Sequence, residues 1–211
     1  MAELNALTAE EQAAGWKLLF DGTSMDAWRG YKRDDVPEGW RIEDGAIARG
    51  DGGGDILTRE QFGSFELSIE WKVAGGGNSG IMFRVSEDAD QTFMTGPEYQ
   101  ILNNEVHRDG QKPKTAAGAN YALHAPTKDM TKPVGEWNHT RIKVDGARVE
   151  HWMNGEKIVE YELWSDDWKQ RVADSKFAAW PGYGQNKVGH VVLQDHGDPV
   201  WYRNIKIRPL D

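Results

Sequence analysis

The chain has 211 residues, a formal net charge of −9 and no cysteine. The acidic charge argues against a protein that binds nucleic-acid phosphates, and the lack of cysteine excludes disulfides, thiol nucleophiles and thiolate metal sites. No apolar run approaches the ~20 residues that a membrane-spanning helix requires. The length suffices for one large domain over residues 1–211, and a second domain is not expected.

The first predicted elements are a short helix and a strand. Thr8 and Glu11 fit a capping box, which predicts a helix over about residues 8–14. Residues 16–20 (WKLLF) predict a strand that ends at the turn formed by Asp21 and Gly22.

Strict alternation of apolar and polar side chains then predicts half-buried antiparallel strands. The alternation covers residues 65–73 (FELSIEWKV), continues after a glycine-rich turn over 81–85, and a further strand is predicted at 99–102. In the strand 81–85 the odd positions are expected in the core. Arg84 is therefore expected on the opposite face.

Residues 103–135 show little periodicity, and a loop of that length in a compact domain is usually functional or disordered. The residues Asn154 and Gly155 that follow later give the strongest short hairpin signal. Beyond the irregular segment, three strands are predicted at residues 140–145, 149–153 and 157–161 and a short helix at 166–174, followed by two strand-like apolar runs near the end of the chain, the second at 200–207.

Many short strands, tight turns and little helix predict an all-β fold. The expected architecture is a jelly-roll sandwich of two antiparallel sheets with minor short helices. One sheet of such a sandwich commonly has a concave outer face that is open to ligand. Side chains opposite the core are therefore expected to line the site, and most of the ten tryptophans are expected in the core.

The last part of the chain carries an unusual polar strand face. His190, Gln194 and His196 follow one another at even spacing, so all three are expected on one face of a sheet. Glu98 and Gln100 share a face of their own strand for the same reason. If these two strands and the strand that carries Arg84 are neighbours, their shared face carries an arginine, a glutamate, two amides and two imidazoles, a combination typical of a site. Parity alone leaves that adjacency open.

Each candidate side chain also has an ordinary structural explanation. Arg84 fits a solvated cation, and Glu98 fits a charge at the edge of a sheet. His107 lies in the irregular segment, where a lone histidine is usually solvated. Tyr121 and His124 lie near the end of that segment and fit residues that pack it against the core.

No nucleophile elbow, phosphate-binding loop or zinc-protease helix is present. A metal held by histidines and carboxylates is conceivable around Glu98, His107 and His196, but their spacing is too diffuse to predict one. His139 and His151 lie at strand positions among charged residues, and both are expected at the surface.

Several segments together resemble the 3-keto-disaccharide hydrolase domain family. The matching stretches are residues 15–22 (GWKLLFDG), 78–84 (NSGIMFR), 96–102 (GPEYQIL), 135–138 (GEWN) and 189–209. Each stretch alone is weakly specific, but the combination is specific and spans nearly the whole chain. The resemblance implies a concanavalin A-like jelly roll, export by a bacterium, and activity on glycosides whose sugar carries a ketone at C3.

A C3 ketone acidifies the proton at C2 and makes the glycosidic oxygen at C1 a β-leaving group. Cleavage by elimination and hydration then needs a base, a stabiliser for the enolate oxygen and an acid. We expect Glu98 or His196 as base and Arg84, with or without a divalent cation, as stabiliser. His107 is expected as the acid or as a metal ligand.

Four further residues are expected to bind the small-molecule carbohydrate. Gln100 and Gln194 would orient sugar hydroxyls, and Tyr121 or Trp180 would stack on the ring. The resemblance does not assign these roles, and neither a metal requirement nor the oligomeric state follows from the sequence.

Other functions remain open at this point. A non-catalytic, lectin-like carbohydrate-binding module would use the same fold and the same polar face. A conventional two-carboxylate glycosidase is less supported, because the proposed face carries one convincing carboxylate. A structural domain of a cell-surface complex is the weakest alternative. The expected location is periplasmic or secreted, with a signal peptide already removed.

Overall fold

A computed structural model describes residues 3–210 of the chain, so the outer limits of the expected domain, residues 1 and 211, lie outside the described residues. Two antiparallel sheets make up most of the structure. The larger sheet contains β1 (Lys17–Leu18), β3 (Trp40–Glu43), β4 (Ala46–Arg49), β6 (Phe65–Val73), β9 (Asn138–Asp145), β10 (Arg148–Met153), β11 (Glu156–Glu162) and β13 (Val200–Pro209). The smaller sheet contains β2 (Trp28–Gly30), β5 (Ile56–Thr58), β7 (Asn78–Val85), β8 (Glu98–Leu102) and β12 (His190–Leu193).

The strand order confirms the all-β jelly-roll sandwich. The larger sheet runs β11-β10-β9-β6-β13-β4-β3, with β1 beside β13, and the smaller sheet runs β2-β5-β12-β7-β8. Strand β12 comes late in the chain and yet pairs with β5 on one side and β7 on the other. The smaller sheet therefore brings β8 and the polar segment that follows β12 to either side of β7.

The core lies between the two sheets. In β6, Phe65, Leu67, Ile69 and Trp71 are no more than 1% exposed, because alternate side chains of a strand point to the same face. Phe83 from the smaller sheet belongs to the same apolar cluster. Each such side chain contributes roughly 1.5–3 kcal/mol by its burial.

Helices are short and lie outside the sheets. Helix α1 (Ala9–Ala13) begins at the capping box of Thr8 and Glu11, and helix α2 (Asp166–Ala173) is capped by the Ser165 side chain. No helix within residues 3–210 is both long and apolar enough to cross a membrane. Single 3₁₀ turns cover Thr92–Met94, Arg108–Gln111, Pro113–Thr115 and Lys176–Ala179.

A bulge in β7 changes the face on which its last side chains lie. His190 pairs with Val85 and Val192 pairs with Met82, so the strand β7 has one residue more than β12 between these pairs. Arg84 takes up the extra residue with a left-handed φ of 51°, an uncommon backbone geometry for a non-glycine residue. Val85, expected in the core, consequently joins Met82 in the apolar cluster on the outer face.

The expectation that Arg84 shares the outer face with Glu98 is therefore wrong. The Arg84 guanidinium donates hydrogen bonds to the carbonyls of Gly63 (3.0 Å) and Gly146 (2.9 Å) and lies 5.7 Å from the ring centroid of Trp164. Because Arg84 is only 3% exposed, it ties the turn before β6 and the turn between β9 and β10 to the end of β7.

The two histidines expected at the surface are instead enclosed to different degrees. His151 is fully buried, its Nδ1 lies 3.0 Å from the Gly118 carbonyl, and burial lowers its pKa to about 4. His139 is partly buried, with Nε2 2.8 Å from the Ser68 hydroxyl. Both therefore belong to the packing of the larger sheet.

Replacement of Arg84 by alanine is expected to destabilise the fold by at least about 2 kcal/mol, because two carbonyls lose charged donors. Urea denaturation of Arg84→Ala measures this loss. The matched variant Arg33→Ala breaks an exposed pair with Asp35 and is expected to cost less than about 1 kcal/mol. Equal stability of the two variants would contradict the structural role of Arg84.

Candidate active site

A cavity of about 160 Å³ opens on the outer face of the smaller sheet. Strands β7 and β8 supply its floor, and the segment that follows β12 supplies one wall. The irregular segment and the 3₁₀ turns at Thr92–Met94 and Lys176–Ala179 form the rim. Its lining residues are Asn78, Phe93, Glu98, Gln100, Asp109, Tyr121, Lys176, Gln194 and His196.

The Glu98 carboxyl lies on the floor over Gly80 of the neighbouring strand. Met82 pairs with Glu98, and Gly80 pairs with Gln100. The Glu98 side chain extends from its own pair over Gly80. A Cβ atom at position 80 would overlap Glu98 Oε1. Only glycine therefore leaves room for this carboxyl.

Glu98 is an unusually basic carboxyl. It is 6% exposed, and burial raises its pKa to about 8, with smaller contributions from the carboxylates of Asp55 and Asp109. The Lys176 ammonium acts in the opposite direction. Because desolvation disfavours the charged form, Glu98 is mostly protonated at neutral pH and becomes a strong base when it ionises.

Two amide oxygens on the floor lack a hydrogen-bond donor. Asn78 Oδ1 and Gln100 Oε1 are buried, and no donor among residues 3–210 reaches either of them. The Gln100 amide is held from its other end, because Nε2 donates to the Thr115 carbonyl at 3.3 Å. An unsatisfied buried acceptor costs about 1–3 kcal/mol, so both oxygens are suited to accept hydrogen bonds from a ligand with hydroxyl groups.

The irregular segment is positioned by backbone pairing with β8. Tyr121 N donates to the Glu98 carbonyl at 3.0 Å, and Gln100 N donates to the Ala119 carbonyl at 3.1 Å. This pairing places the Tyr121 ring at the cavity. Burial and the neighbouring Asp109 carboxylate raise the pKa of Tyr121 to about 12, so the phenol stays neutral.

Lys176 places a cation at the cavity from the 3₁₀ turn after α2. Its Nζ lies 4.4 Å from the ring centroid of Tyr121 and 5.8 Å from that of Phe93. Such cation–π contacts contribute roughly 0.5–1 kcal/mol each at exposed sites. They orient an otherwise flexible ammonium beside Glu98.

Two imidazoles meet at the rim. The ring centroids of His107 and His196 are 6.4 Å apart, and His196 Nδ1 lies 3.8 Å from Asp198 Oδ2. His107 Nδ1 accepts a hydrogen bond from Asp109 N at 3.1 Å, which leaves Nε2 to carry the proton of the neutral ring. His196 lines the cavity, and His107 lies next to His196 outside the lining.

The structure brings together most of the predicted site residues. Glu98, Gln100, Tyr121, Gln194 and His196 line one cavity.

Four residues expected at the polar face or the site lie outside this lining. Trp180 packs against Phe93, with ring centroids 5.3 Å apart, and so supports the cavity wall. Arg84 points away, as described above, and His107 is adjacent. His190 also lies elsewhere, with Nδ1 2.6 Å from the Thr58 carbonyl.

Four lining residues were not predicted from the sequence, namely Asn78, Phe93, Asp109 and Lys176. Asn78 looks like the last residue of a glycine-rich turn, and the structure makes it the first residue of β7. The other three lie on short 3₁₀ turns or beside them, where no periodic pattern marks a residue as facing a site.

A divalent cation at this site lacks an evident ligand set. Residues 3–210 contain no group of three or more His, Asp or Glu side chains arranged to hold a metal ion.

Known proteins match nearly the whole chain. Residues 15–208 match the profile of the 3-keto-alpha-glucoside-1,2-lyase-like domain. A 3-keto-disaccharide hydrolase of Bacteroides thetaiotaomicron is 37% identical over 242 aligned positions, which cover 100% of this chain and 83% of that protein. The crystal structure of a candidate glycosyl hydrolase from Parabacteroides distasonis has a TM-score of 0.93 at 37% identity, covering 99% of this chain and 100% of that one.

A more distant structure shares the fold alone. A carbohydrate-binding module of Bacillus subtilis has a TM-score of 0.55 at 12% identity and covers 86% of this chain and 95% of that one. The sandwich by itself therefore does not distinguish an enzyme from a binding module.

The pKa of Glu98 has a consequence for stability. Its value in the folded protein, about 8, exceeds the ordinary value of 4.5. The protonated carboxyl therefore stabilises the fold fully below pH 4.5, and this contribution is lost as the pH rises to about 8.

Glu98→Gln, which cannot ionise, is expected to gain stability over the wild type across this pH interval. The expected gain is roughly 1.4 kcal/mol for each pH unit, measured by denaturant unfolding from pH 5 to 9. The exposed Glu38→Gln is the matched control and is expected to show no such trend. A stability difference that does not change with pH would contradict the desolvated state of Glu98.

Proposed function

We propose that this chain, which belongs to the 3-keto-alpha-glucoside-1,2-lyase-like domain family, hydrolyses glycosides whose sugar carries a ketone at C3. The observation that carries the proposal is the Glu98 carboxyl, buried on the cavity floor with a pKa of about 8. The 37% identity to a 3-keto-disaccharide hydrolase supports the substrate class.

Glu98 is the proposed general base. Its ionised carboxylate removes the C2 proton, and the electron pair is delocalised onto the C3 oxygen as an enolate. A raised pKa suits this step, because a desolvated carboxylate is a stronger base than an exposed one. His196, the other residue expected as a base, is exposed at the rim, whereas Glu98 is buried on the floor.

Lys176 takes the role that the sequence suggested for Arg84. Its ammonium, oriented by Tyr121 and Phe93, is the cation that lines the cavity together with Glu98. Positive charge placed where an enolate forms stabilises the transition state. No step of this proposal depends on a bound metal ion.

The enolate then expels the glycosidic oxygen from C1. The C1–O bond breaks, a C1–C2 double bond forms, and the leaving oxygen takes a proton from His196 or His107 at the rim. Water then adds to C1 and gives up one proton to the histidine that protonated the leaving oxygen, while Glu98 returns its proton to C2, so both groups are restored and the overall reaction is hydrolysis. The unpartnered oxygens of Asn78 and Gln100 would accept hydrogen bonds from the sugar hydroxyls.

A lectin-like module is less well supported than an enzyme. A binding module needs hydrogen-bonding groups and aromatic rings, but it has no use for a carboxyl whose desolvation lowers stability at neutral pH. We further propose a bacterial source and a periplasmic or secreted location. The bacterial relatives support the source, and the location rests on the family resemblance alone.

The substrate class can be tested with a pair of chromogenic glycosides. The protein is expected to release nitrophenol from 4-nitrophenyl 3-keto-glucoside and not from the unoxidised glucoside, because only the ketone acidifies C2. Glu98→Gln is expected to lower kcat roughly 10²–10⁴-fold, the usual contribution of a general base. Release from the unoxidised glucoside alone would refute the proposal, and sugar binding without any release would favour the lectin-like module.

Removal of the Lys176 cation is expected to slow the same reaction. Lys176→Gln should lower kcat roughly 10²-fold and raise the midpoint of the pH–rate profile, because Lys176 lowers the pKa of Glu98. Lys169→Gln, on the exposed face of α2, is the matched control. A slower rate with an unshifted pH profile would indicate a structural effect instead.

A further inference from the structure

A second cavity of about 220 Å³ lies beside the first. Its lining residues are Tyr31, Arg33, Pro37, Gly53, Gly54, Asp55, Asp90, Gln91 and Asp195. We propose that this second cavity binds the leaving glycosyl unit, a neutral sugar, while the first cavity holds the oxidised ring. The inference rests on the proposed function and adds the part of the substrate that the first cavity does not hold.

Both cavities rest on the same face of the smaller sheet. Tyr31 lines the second cavity and Phe93 lines the first, and both rings pack against one apolar cluster on the outer face. That cluster consists of Leu57, Met82, Val85 and Val192. The two cavities are therefore neighbours over a common base.

Two segments form the wall between the cavities. In each segment, some side chains line the first cavity and others line the second. Gln194 and His196 line the first cavity, and Asp195 between them lines the second. In the other segment, Gln91 faces the second cavity and Phe93 the first. A ligand bound across this wall would pass directly beside His196, the proposed acid for the leaving oxygen.

The sizes of the cavities also favour a shared ligand. They measure about 160 Å³ and 220 Å³, each below the ~300–1,000 Å³ typical of ligand pockets, and together they reach that range. A ligand of two linked rings therefore fits the pair better than either cavity alone.

The polar groups of the second cavity are suited to sugar hydroxyls. Asp90 and Gln91 are exposed at its rim, where a carboxylate and an amide can accept hydrogen bonds from adjacent hydroxyls. Asp195 is already engaged, with Oδ1 2.5 Å from Arg49 Nε and Oδ2 2.7 Å from Gly54 N. It therefore fixes the wall.

The charges of this cavity disfavour an anionic leaving unit. Three aspartates line it, of which Asp195 is paired with Arg49, and the lining cation, Arg33, is itself paired with Asp35 at 2.6 Å. Burial raises the pKa of Asp55, whose carboxylate accepts hydrogen bonds from Thr92 and from Asp195 N. A neutral, hydroxyl-rich ring thus matches the site better than a phosphorylated one.

The test compares a 3-keto-disaccharide with methyl 3-keto-glucoside, which keeps the reacting ring and lacks the second one. The double variant Asp90→Ala/Gln91→Ala is expected to lower kcat/KM for the disaccharide at least about tenfold, the loss of one hydrogen bond to a charged group. Its kcat/KM for the methyl glycoside should stay within twofold of the wild type. Asp88→Ala, in the same loop and outside the cavity, is the matched control and should change neither value.

The outcomes separate the inference from the function on which it rests. Equal losses on both substrates, or no loss on either, would overturn the second-cavity assignment while the hydrolase function stands. A wild type that cleaves neither substrate would refute the proposed function, and the inference with it. A selective loss on the disaccharide supports both.

Discussion

The site depends on one electrostatic constraint, the burial of the Glu98 carboxyl on an open face of a β-sheet. A carboxylate without hydrogen-bond donors is expensive to ionise, and here the carboxyl lies against Gly80 because no other residue type leaves space for it. Lys176 lowers the pKa of Glu98 and so reduces the cost of ionising it, although the two side chains form no ion pair within the described residues. The fold thus holds a strong base at the expense of stability at neutral and alkaline pH.

A single bulge determines which charged groups reach that face. The extra residue at Arg84 redirects the guanidinium toward the turns at Gly63 and Gly146 and turns Val85 outward. The outer face of the sheet therefore carries an apolar patch in place of a cation. The cation at the cavity is instead Lys176, on a 3₁₀ turn beyond α2.

Regular periodicity made part of this structure predictable from the sequence. The alternation over 65–73 corresponds to β6, and the residues Asn154 and Gly155 mark the turn between β10 and β11. The strands β2 to β5 were missed because they are three or four residues long, too short for a period to appear. Parity placed Glu98 and Gln100 correctly on the face that carries the cavity. It was only partly right for the last polar segment, because Gln194 and His196 line the cavity from beyond the end of β12 and His190 does not line it. It failed at Arg84, because a bulge leaves no mark in a single sequence, and at Lys176, because long-range packing alone positions that turn.

The desolvated state of Glu98 is the central claim, and a direct titration tests it. The protein would be labelled with ¹³C at the glutamate side-chain carboxyls, and the Glu98 resonance assigned by its loss in Glu98→Gln. We expect this resonance to titrate with a midpoint near pH 8. A midpoint near the ordinary value of 4.5 would contradict the role of Glu98 as a buried base.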